Sequence, residues 1–317
     1  MFFAKPETSE VWTFYQTADA KRLLRSLLTM ILVTGAAGKT GRAIIQALSK
    51  RGETVRALAH RSDQVASLKA LGVDEALVGD LLDRSVIQQA VHDVRAIYHI
   101  APNVSPNEVT FGKAVIAAAQ SADVERFVFH SVLHPQIEAM PHHWQKMRVE
   151  ELLFESGLPF TILQPTVYMQ NVLASWNQIV ETGKYRVPYS TETRLSLVDL
   201  ADVAEAAALV LSGPGYGGAT IELVGTPTMS QLEIAQTLAD QLQRPVEAEV
   251  ISLEEWERVA RSSGLGDYQV LTLMKMFCYY ESYGFAGNPN ALKCLLGRQP
   301  TSFAEFVKRI KNDLGIG

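Results

Sequence analysis

The sequence predicts an α/β protein: a doubly wound parallel sheet followed by a smaller, mostly helical C-terminal lobe. Three observations carry that prediction. Short apolar or β-branched runs alternate with helical stretches over residues 30–165. A glycine loop, Gly35-Ala36-Ala37-Gly38-Lys39-Thr40-Gly41, follows directly on the first such run. The alternation then stops after Pro165.

The elements follow in order. A strand over 31–34 leads through the glycine loop into a helix that runs to residue 48. Strands over 54–59, 75–78, 96–100, 126–130 and 160–163 come next, separated by helical patterns at about 60–71, 83–91, 111–121 and 143–156. Strands spaced by helices of this length form right-handed crossovers and a parallel sheet covered on both faces. With the glycine loop after the first strand, the sheet is of the Rossmann type. Beyond Pro165 the pattern gives a helical stretch at 171–182, a return strand at 195–198, a helix at 201–211, a strand at 219–223 and mostly helix from Met229. We therefore divide the chain into a dinucleotide-binding domain over 30–165 and a substrate lobe over 166–317, with one or two segments of the latter returning to the sheet. Residues 1–29 read as a peripheral extension. Within them 18–28 has the spacing of a short amphipathic helix.

Composition narrows the function classes. The chain has 317 residues, 47% hydrophobic and 20% charged, enough for a full core and ordinary for a globular protein. A formal net charge of -5 argues against a dedicated nucleic-acid surface. No apolar run reaches the ~20 residues that span a bilayer, and no signal peptide precedes the fold. Cys278 and Cys294 lack metal-ligand spacing and read as reduced thiols in a cytoplasmic protein with no metal site.

The glycine loop holds the clearest chemistry. Gly35 allows a tight turn, Gly38 lets backbone N–H groups approach a pyrophosphate, and Gly41 lets the helix pack on the strand, while Ala37, Lys39 and Thr40 complete the cradle. The second strand ends in Ala59-His60-Arg61-Ser62, without the acid that would bind ribose hydroxyls. Arg61 can fork onto a 2′-phosphate with His60 beside it, so NADP(H) is favoured, with NAD(H) as the alternative. Asp80 and Leu81 border the adenine, unless Asp80 caps the next helix. Ala101 and Pro102 run alongside the nicotinamide ribose. Ser131 ends the fifth strand. Lys146 can bind ribose hydroxyls, and His142, one helical turn earlier, can serve as an acid. The simpler reading of Lys146 is a surface lysine paired with Glu150. Tyr168, Met169, Asn171 and Trp176 are candidates for the acceptor pocket, with Asn171 also placed to contact nicotinamide.

These motifs resemble the NmrA-like family of atypical short-chain dehydrogenases/reductases, near its quinone-reductase and azoreductase branch. The resemblance rests on 33–41, on Val55-Arg56-Ala57-Leu58 with a basic residue after it, on Gly79-Asp80-Leu81, on 142–171 including Gln164-Pro165, on Val198-Asp199-Leu200-Ala201-Asp202-Val203-Ala204, and on 295–303. It implies NADPH-dependent hydride transfer to a quinone-like small molecule, or else a non-catalytic redox sensor acting through a protein partner. Two departures stand out. The Tyr-x-x-x-Lys frame of related enzymes reads His142-His143-Trp144-Gln145-Lys146, keeping the lysine and losing the tyrosine. The first residue after the second strand is His60 where the family usually has a permanent cation.

Overall fold

The structure, a computed structural model, describes residues 29–315; the expectations for 1–28 lie outside the described residues. The main chain of the dinucleotide half runs β1 (Ile31–Val33), α1 (Lys39–Lys50), β2 (Val55–Ala59), α2 (Val65–Lys69), β3 (Glu75–Val78), α3 (Arg84–Val91), β4 (Ala96–His99), α4 (Glu108–Ala122), β5 (Arg126–His130), α5 (Pro141–Ser156) and β6 (Phe160–Pro165). Then follow β7 (Val167–Tyr168), a 3-10 turn (Met169–Ser175), α6 (Trp176–Thr182), β8 (Lys184–Val187), β9 (Leu197–Val198), α7 (Leu200–Ser212), β10 (Ala219–Leu223), α8 (Gln231–Leu242), β11 (Glu247–Val250), α9 (Leu253–Ser262), α10 (Asp267–Tyr283), α11 (Asn290–Leu296) and α12 (Phe303–Asp313).

Seven strands form one parallel sheet in the order β10-β6-β5-β4-β1-β2-β3. Its inner strands are buried on both faces, which is why they read as unbroken apolar runs such as Ile31-Leu32-Val33 and Phe127-Val128-Phe129. One face packs on α1 and α7 through Ile44, Ile45, Leu48, Val203 and Ala207; the other packs on α3, α4 and α5 through Ile87, Val115, Val149 and Leu153. The strand order reverses direction at β1, between β2 and β4. Ligands of such sheets bind in the crevice beyond the strand carboxyl ends at that reversal.

A third core, with Met169, Trp176, Tyr185, Leu238, Tyr280 and Phe306, belongs to the C-terminal half. Residues 219–223 do return to the sheet, as its edge strand β10 beside β6. The strand expected at 195–198 does not; β9 pairs with β7 in a separate two-stranded ribbon. A second ribbon, β8 with β11, was not anticipated, because the charged, largely exposed Glu247-Ala248-Glu249-Val250 offers no apolar run. Among the described residues no helix is long and apolar enough to cross a membrane. Cys278 and Cys294 are both free and exposed, so neither packs in a core.

Candidate functional site: a glycine cradle continuous with an aromatic bowl

One cleft of about 1520 Å³ opens over the carboxyl ends of the strands. It is lined at one end by the glycine loop and at the other by the helices of the C-terminal half.

The loop is shaped by Thr34, the residue after β1. Its hydroxyl donates to the Ile100 carbonyl (3.1 Å) and accepts from the Ile100 N–H (3.0 Å), tying β1 to the end of β4. With the Thr34 hydrogen so used, His99 Nδ1 donates to the same oxygen at 2.9 Å. Gly35 then turns with φ +59°, and a Cβ there would stand 2.7 Å from the Ile100 carbonyl oxygen. At Gly41 a Cβ would meet Ala36 Cα at 2.8 Å, so only glycine lets α1 close on the loop. Gly38 is different: it is exposed and is the N-cap of α1, yet no side chain caps that helix. In α3, α7 and α8 the N-caps Asp83, Asp199 and Ser230 fill the same role with a side-chain oxygen. The first N–H groups of α1 are thus left open to an external anion, and the residues present fit a pyrophosphate. Ala37, Lys39 and Thr40 line the cleft with them.

Beyond β2 and β3 the structure brings His60, Asp80 and Leu81 to the cleft but not Arg61. Arg61 is turned onto Asp63, with Nε 3.0 Å from Oδ1 and Nη2 3.2 Å from Oδ2. Gln64, which does line the cleft, accepts from the His60 and Arg61 amides at 3.2 and 3.1 Å and so holds the turn. Asp80 is not the cap of α3; its Oδ1 accepts from Leu82 N at 2.8 Å, and Asp83 caps the helix through Ser85 N at 2.8 Å.

Lys146 lies at the centre of the floor. Gly112 on α4 meets Val149 on α5 so closely that a Cβ would stand 2.8 Å from the valine methyls. One turn away on each helix, Glu108 and Lys146 therefore face each other, with Nζ 2.7 Å from Oε1. Glu108 opens α4, where the helix dipole favours a carboxylate. Lys146 Nζ also donates to the His130 carbonyl at 3.0 Å and sits 5.3 Å above the Phe129 ring. The expected partner Glu150 is engaged elsewhere. It accepts from Ser131 Oγ and from Gln164 Nε2 (2.9 and 3.1 Å), and burial raises its pKa. Ser131 lines the cleft, but its hydrogen is committed to that carboxylate.

The Lys146–Glu108 pair is nearly enclosed, the side chains being 15% and 5% exposed. Removing one partner strands the other charge, at a cost of about 3–5 kcal/mol. Lys146→Met should therefore lower stability by roughly that amount, while Lys146→Met with Glu108→Gln should recover most of it. Urea unfolding of the four members of the cycle measures this, and a double variant as unstable as the single one would refute the pairing.

His142 lines the cleft, as expected, but not in the form expected of an acid. Burial, and then the nearby Lys146 charge, push its pKa down to about 4, and its Nδ1 has no partner among the described residues. It is a neutral imidazole at pH 7, able to offer a hydrogen bond and not a ready proton. His143 beside it is also neutral, its pKa lowered to about 3 chiefly by burial. Ala101, Pro102, Pro165 and Asn171 line the cleft between these groups and the C-terminal half.

Beyond the floor the cleft widens into an apolar bowl. Tyr189, Trp256, Met276, Phe277, Tyr280 and Phe285 line it, drawn from the segment after β8 and from α9 and α10 and their flank. Phe277 contacts Trp256 edge-on at 4.7 Å between centroids and lies 5.9 Å from Tyr189. The charged residues at this end neutralise one another, Arg186 Nη2 lying 2.9 Å from Glu255. Tyr168 and Met169 line the cleft as anticipated, whereas Trp176 is buried in the third core and does not reach it. Sequence reasoning missed Glu108, His130 and the α9–α10 aromatics. For the last, Phe277 and Tyr280, one helical turn apart, were an available signal.

Residues 29–307 match the NmrA-like family. The chain belongs to that family. Its parallel sheet and glycine loop are those of an NAD(P)-binding member of the atypical short-chain dehydrogenase/reductase superfamily. Among relatives, the NAD(P)H azoreductase of Xenophilus azovorans is 28% identical over 281 residues, covering 88% of this chain and 97% of that protein. Quinone oxidoreductase 2 of Escherichia coli is 26% identical over 285 residues, covering 89% and 99%. The crystal structure of the Escherichia coli NADPH-dependent quinone oxidoreductase with NADPH superposes with a TM-score of 0.78 at 25% identity, covering 89% of this chain and 99% of that one.

Proposed function

We propose that this NmrA-like protein is an NADPH-dependent reductase that passes hydride to a flat, uncharged, quinone-like acceptor. The observation that carries the reading is the continuity of the uncapped glycine cradle with the aromatic bowl in one cleft. The relatives named above, an azoreductase and a quinone oxidoreductase, support it.

When bound, the dinucleotide supplies the hydride. The protein's part is to bind, orient and exclude water. Backbone N–H groups of Lys39 to Gly41 hold the pyrophosphate, the Gly38 N–H being spent on the Gly35 carbonyl (3.1 Å), with the Lys39 side chain at its exposed side. Leu81 packs on the adenine, and Ala101, Pro102, Pro165 and Asn171 border the nicotinamide half. Lys146, aimed by Glu108 and the His130 carbonyl, meets the ribose hydroxyls. The bowl stacks the acceptor through its ring edges and faces, an apolar fit that favours flat conjugated molecules. Arg61 meets the 2′-phosphate by exchanging one anion for another. Its bond to Asp63 is solvent-exposed, and exposed ion pairs are weak enough to be replaced.

The test is a titration of the purified protein with NADPH and NADH, followed by single-turnover oxidation with a panel of quinones. Tight NADPH binding with quinone-dependent oxidation is the expected result; tight binding with no oxidation by any acceptor would overturn the reductase and favour a sensor. In the same assay Arg61→Ala should weaken NADPH about tenfold or more and NADH little, the loss of one charge-assisted fork being worth about 1.5–3 kcal/mol. Equal losses for the two cofactors would remove Arg61 from the phosphate site.

A further inference from the structure

A chain of buried hydroxyls and an imidazole crosses three strands beneath the cleft. Tyr98 on β4 is fully buried, and its hydroxyl bonds His130 Nδ1 at the end of β5. His130 Nε2 lies 2.7 Å from the hydroxyl oxygen of Tyr168 on β7. Tyr168 lines the cleft, beside Thr40 of the glycine loop, and the His130 carbonyl is the one that receives Lys146.

The chain has a direction. Among the described residues Tyr98 has no other hydrogen-bond partner, and leaving a buried O–H unpaired costs about 1–3 kcal/mol, so it donates to Nδ1. His130 is neutral, burial having pushed its pKa down to about 3, so it carries one ring hydrogen, and that hydrogen is on Nε2. Nε2–H then donates to Tyr168, whose oxygen is an acceptor towards the interior. The Tyr168 hydrogen is left to point away from His130, on the cleft side, where the Thr40 hydroxyl is its hydrogen-bond partner until an acceptor oxygen takes that place. Burial keeps the phenol protonated well above its usual range. A tyrosine so arranged is a fixed donor.

We propose that Tyr168 is a catalytic proton donor, oriented by His130 and Tyr98, and that it extends the acceptors of this site to flat conjugated ketones and aldehydes. The inference rests on the reductase reading above. Hydride adds to the carbonyl carbon, and the C=O π pair moves to oxygen. The Tyr168 O–H bond breaks as the new alcohol O–H forms. The phenolate is held by the His130 Nε2–H until water in the open cleft returns a proton. The dinucleotide is oxidised, the carbonyl is reduced to an alcohol, and one solvent proton is consumed. The tyrosine missing from the frame at His142 is thus supplied from another segment lining the same cleft, with His130 bonded both to it and, through its carbonyl, to the lysine.

The test compares Tyr168→Phe with the wild type on two acceptors, 1,4-benzoquinone and an aryl 1,2-diketone. A quinone yields a weakly basic oxyanion that water protonates readily; the diketone yields a basic alkoxide that needs a donor. The loss in kcat should grow from a few-fold with the quinone to thirtyfold or more with the diketone, with NADPH affinity within about twofold of wild type. Nitrogen NMR of the imidazoles, assigned with His130→Gln, should show His130 protonated at Nε2, with its Nε2–H proton shifted upfield in Tyr168→Phe. An equal loss on both acceptors, or a matching loss of NADPH affinity, would give the phenol to cofactor binding and overturn the proposal. A His130 protonated at Nδ1 would overturn the direction of the chain. A wild type that turns over quinone but never the diketone would refute the wider acceptor range while leaving the reductase reading intact. No turnover with any acceptor would sink both.

Discussion

Gly38→Glu should abolish dinucleotide binding while leaving the fold standing. Gly38 caps α1 with φ -72° and ψ 165°, an extended conformation that any residue adopts. A Cβ there meets only the Gly35 carbonyl oxygen, at 3.3 Å, and the rest of the side chain would extend into the open cleft. The carboxylate would then reach the free N–H groups at the start of α1, where a negative charge stabilises the helix. The same placement fills the pyrophosphate position and repels what it does not block. An increase in Kd of more than a hundredfold is expected, which corresponds to at least ~2.7 kcal/mol, with a melting temperature close to wild type. Isothermal titration and thermal unfolding on one preparation decide the matter. Unchanged NADPH affinity in a folded Gly38→Glu protein would remove the dinucleotide from this loop. Gly41→Ala is a poorer probe, because its Cβ would collide with the Ala36 backbone and disturb α1 itself.

The contrast between these two glycines shows what the sequence makes legible. The loop is contiguous, and each glycine has a local task, so its place after β1 could be read directly. The sheet was equally open, because strands buried on both faces spell out unbroken apolar runs. Lys146 could be placed on a helix, but its partner could not be chosen. Spacing along α5 points to Glu150, whereas the approach of α4 at Gly112 delivers Glu108 and leaves Glu150 to Ser131 and Gln164. Arg61 was singled out by its position after β2, yet no pattern revealed that Asp63, two residues on, would hold it away from the cleft. The Tyr98–His130–Tyr168 chain draws one residue from each of three strands. Nothing in any one segment marks it, since a lone tyrosine or histidine in an apolar run has many explanations. What the sequence hides here is tertiary assembly: the parts of the site that depend on which helix leans on which.

Acid should unfold this protein between about pH 5.5 and pH 3.5, its buried histidines driving the loss of stability. His99, His130 and His143 have their pKa values lowered to about 3 and His142 to about 4, in each case chiefly by burial. The unfolded chain titrates these groups near 6.5. Above that pH both states are neutral and the histidines contribute no pH dependence. Below it the unfolded state binds protons that the folded state refuses, so stability falls as pH falls, until the folded pKa values are reached. Each such group contributes a slope of about 1.4 kcal/mol per pH unit. Four together give about 5 kcal/mol per unit, against a total stability on the order of 5–15 kcal/mol for a typical domain. One to three units below 6.5 are therefore enough to melt the fold. Far-UV circular dichroism followed through an acid titration should show a cooperative transition in that window. His143→Gln removes one of the four without touching the Tyr98–His130–Tyr168 chain, and it should move the midpoint to lower pH. A midpoint that stays in place, or one below about pH 3.5 in the wild type, would mean that the buried histidines accept protons in the folded state and that the cleft floor is wetter than its geometry implies.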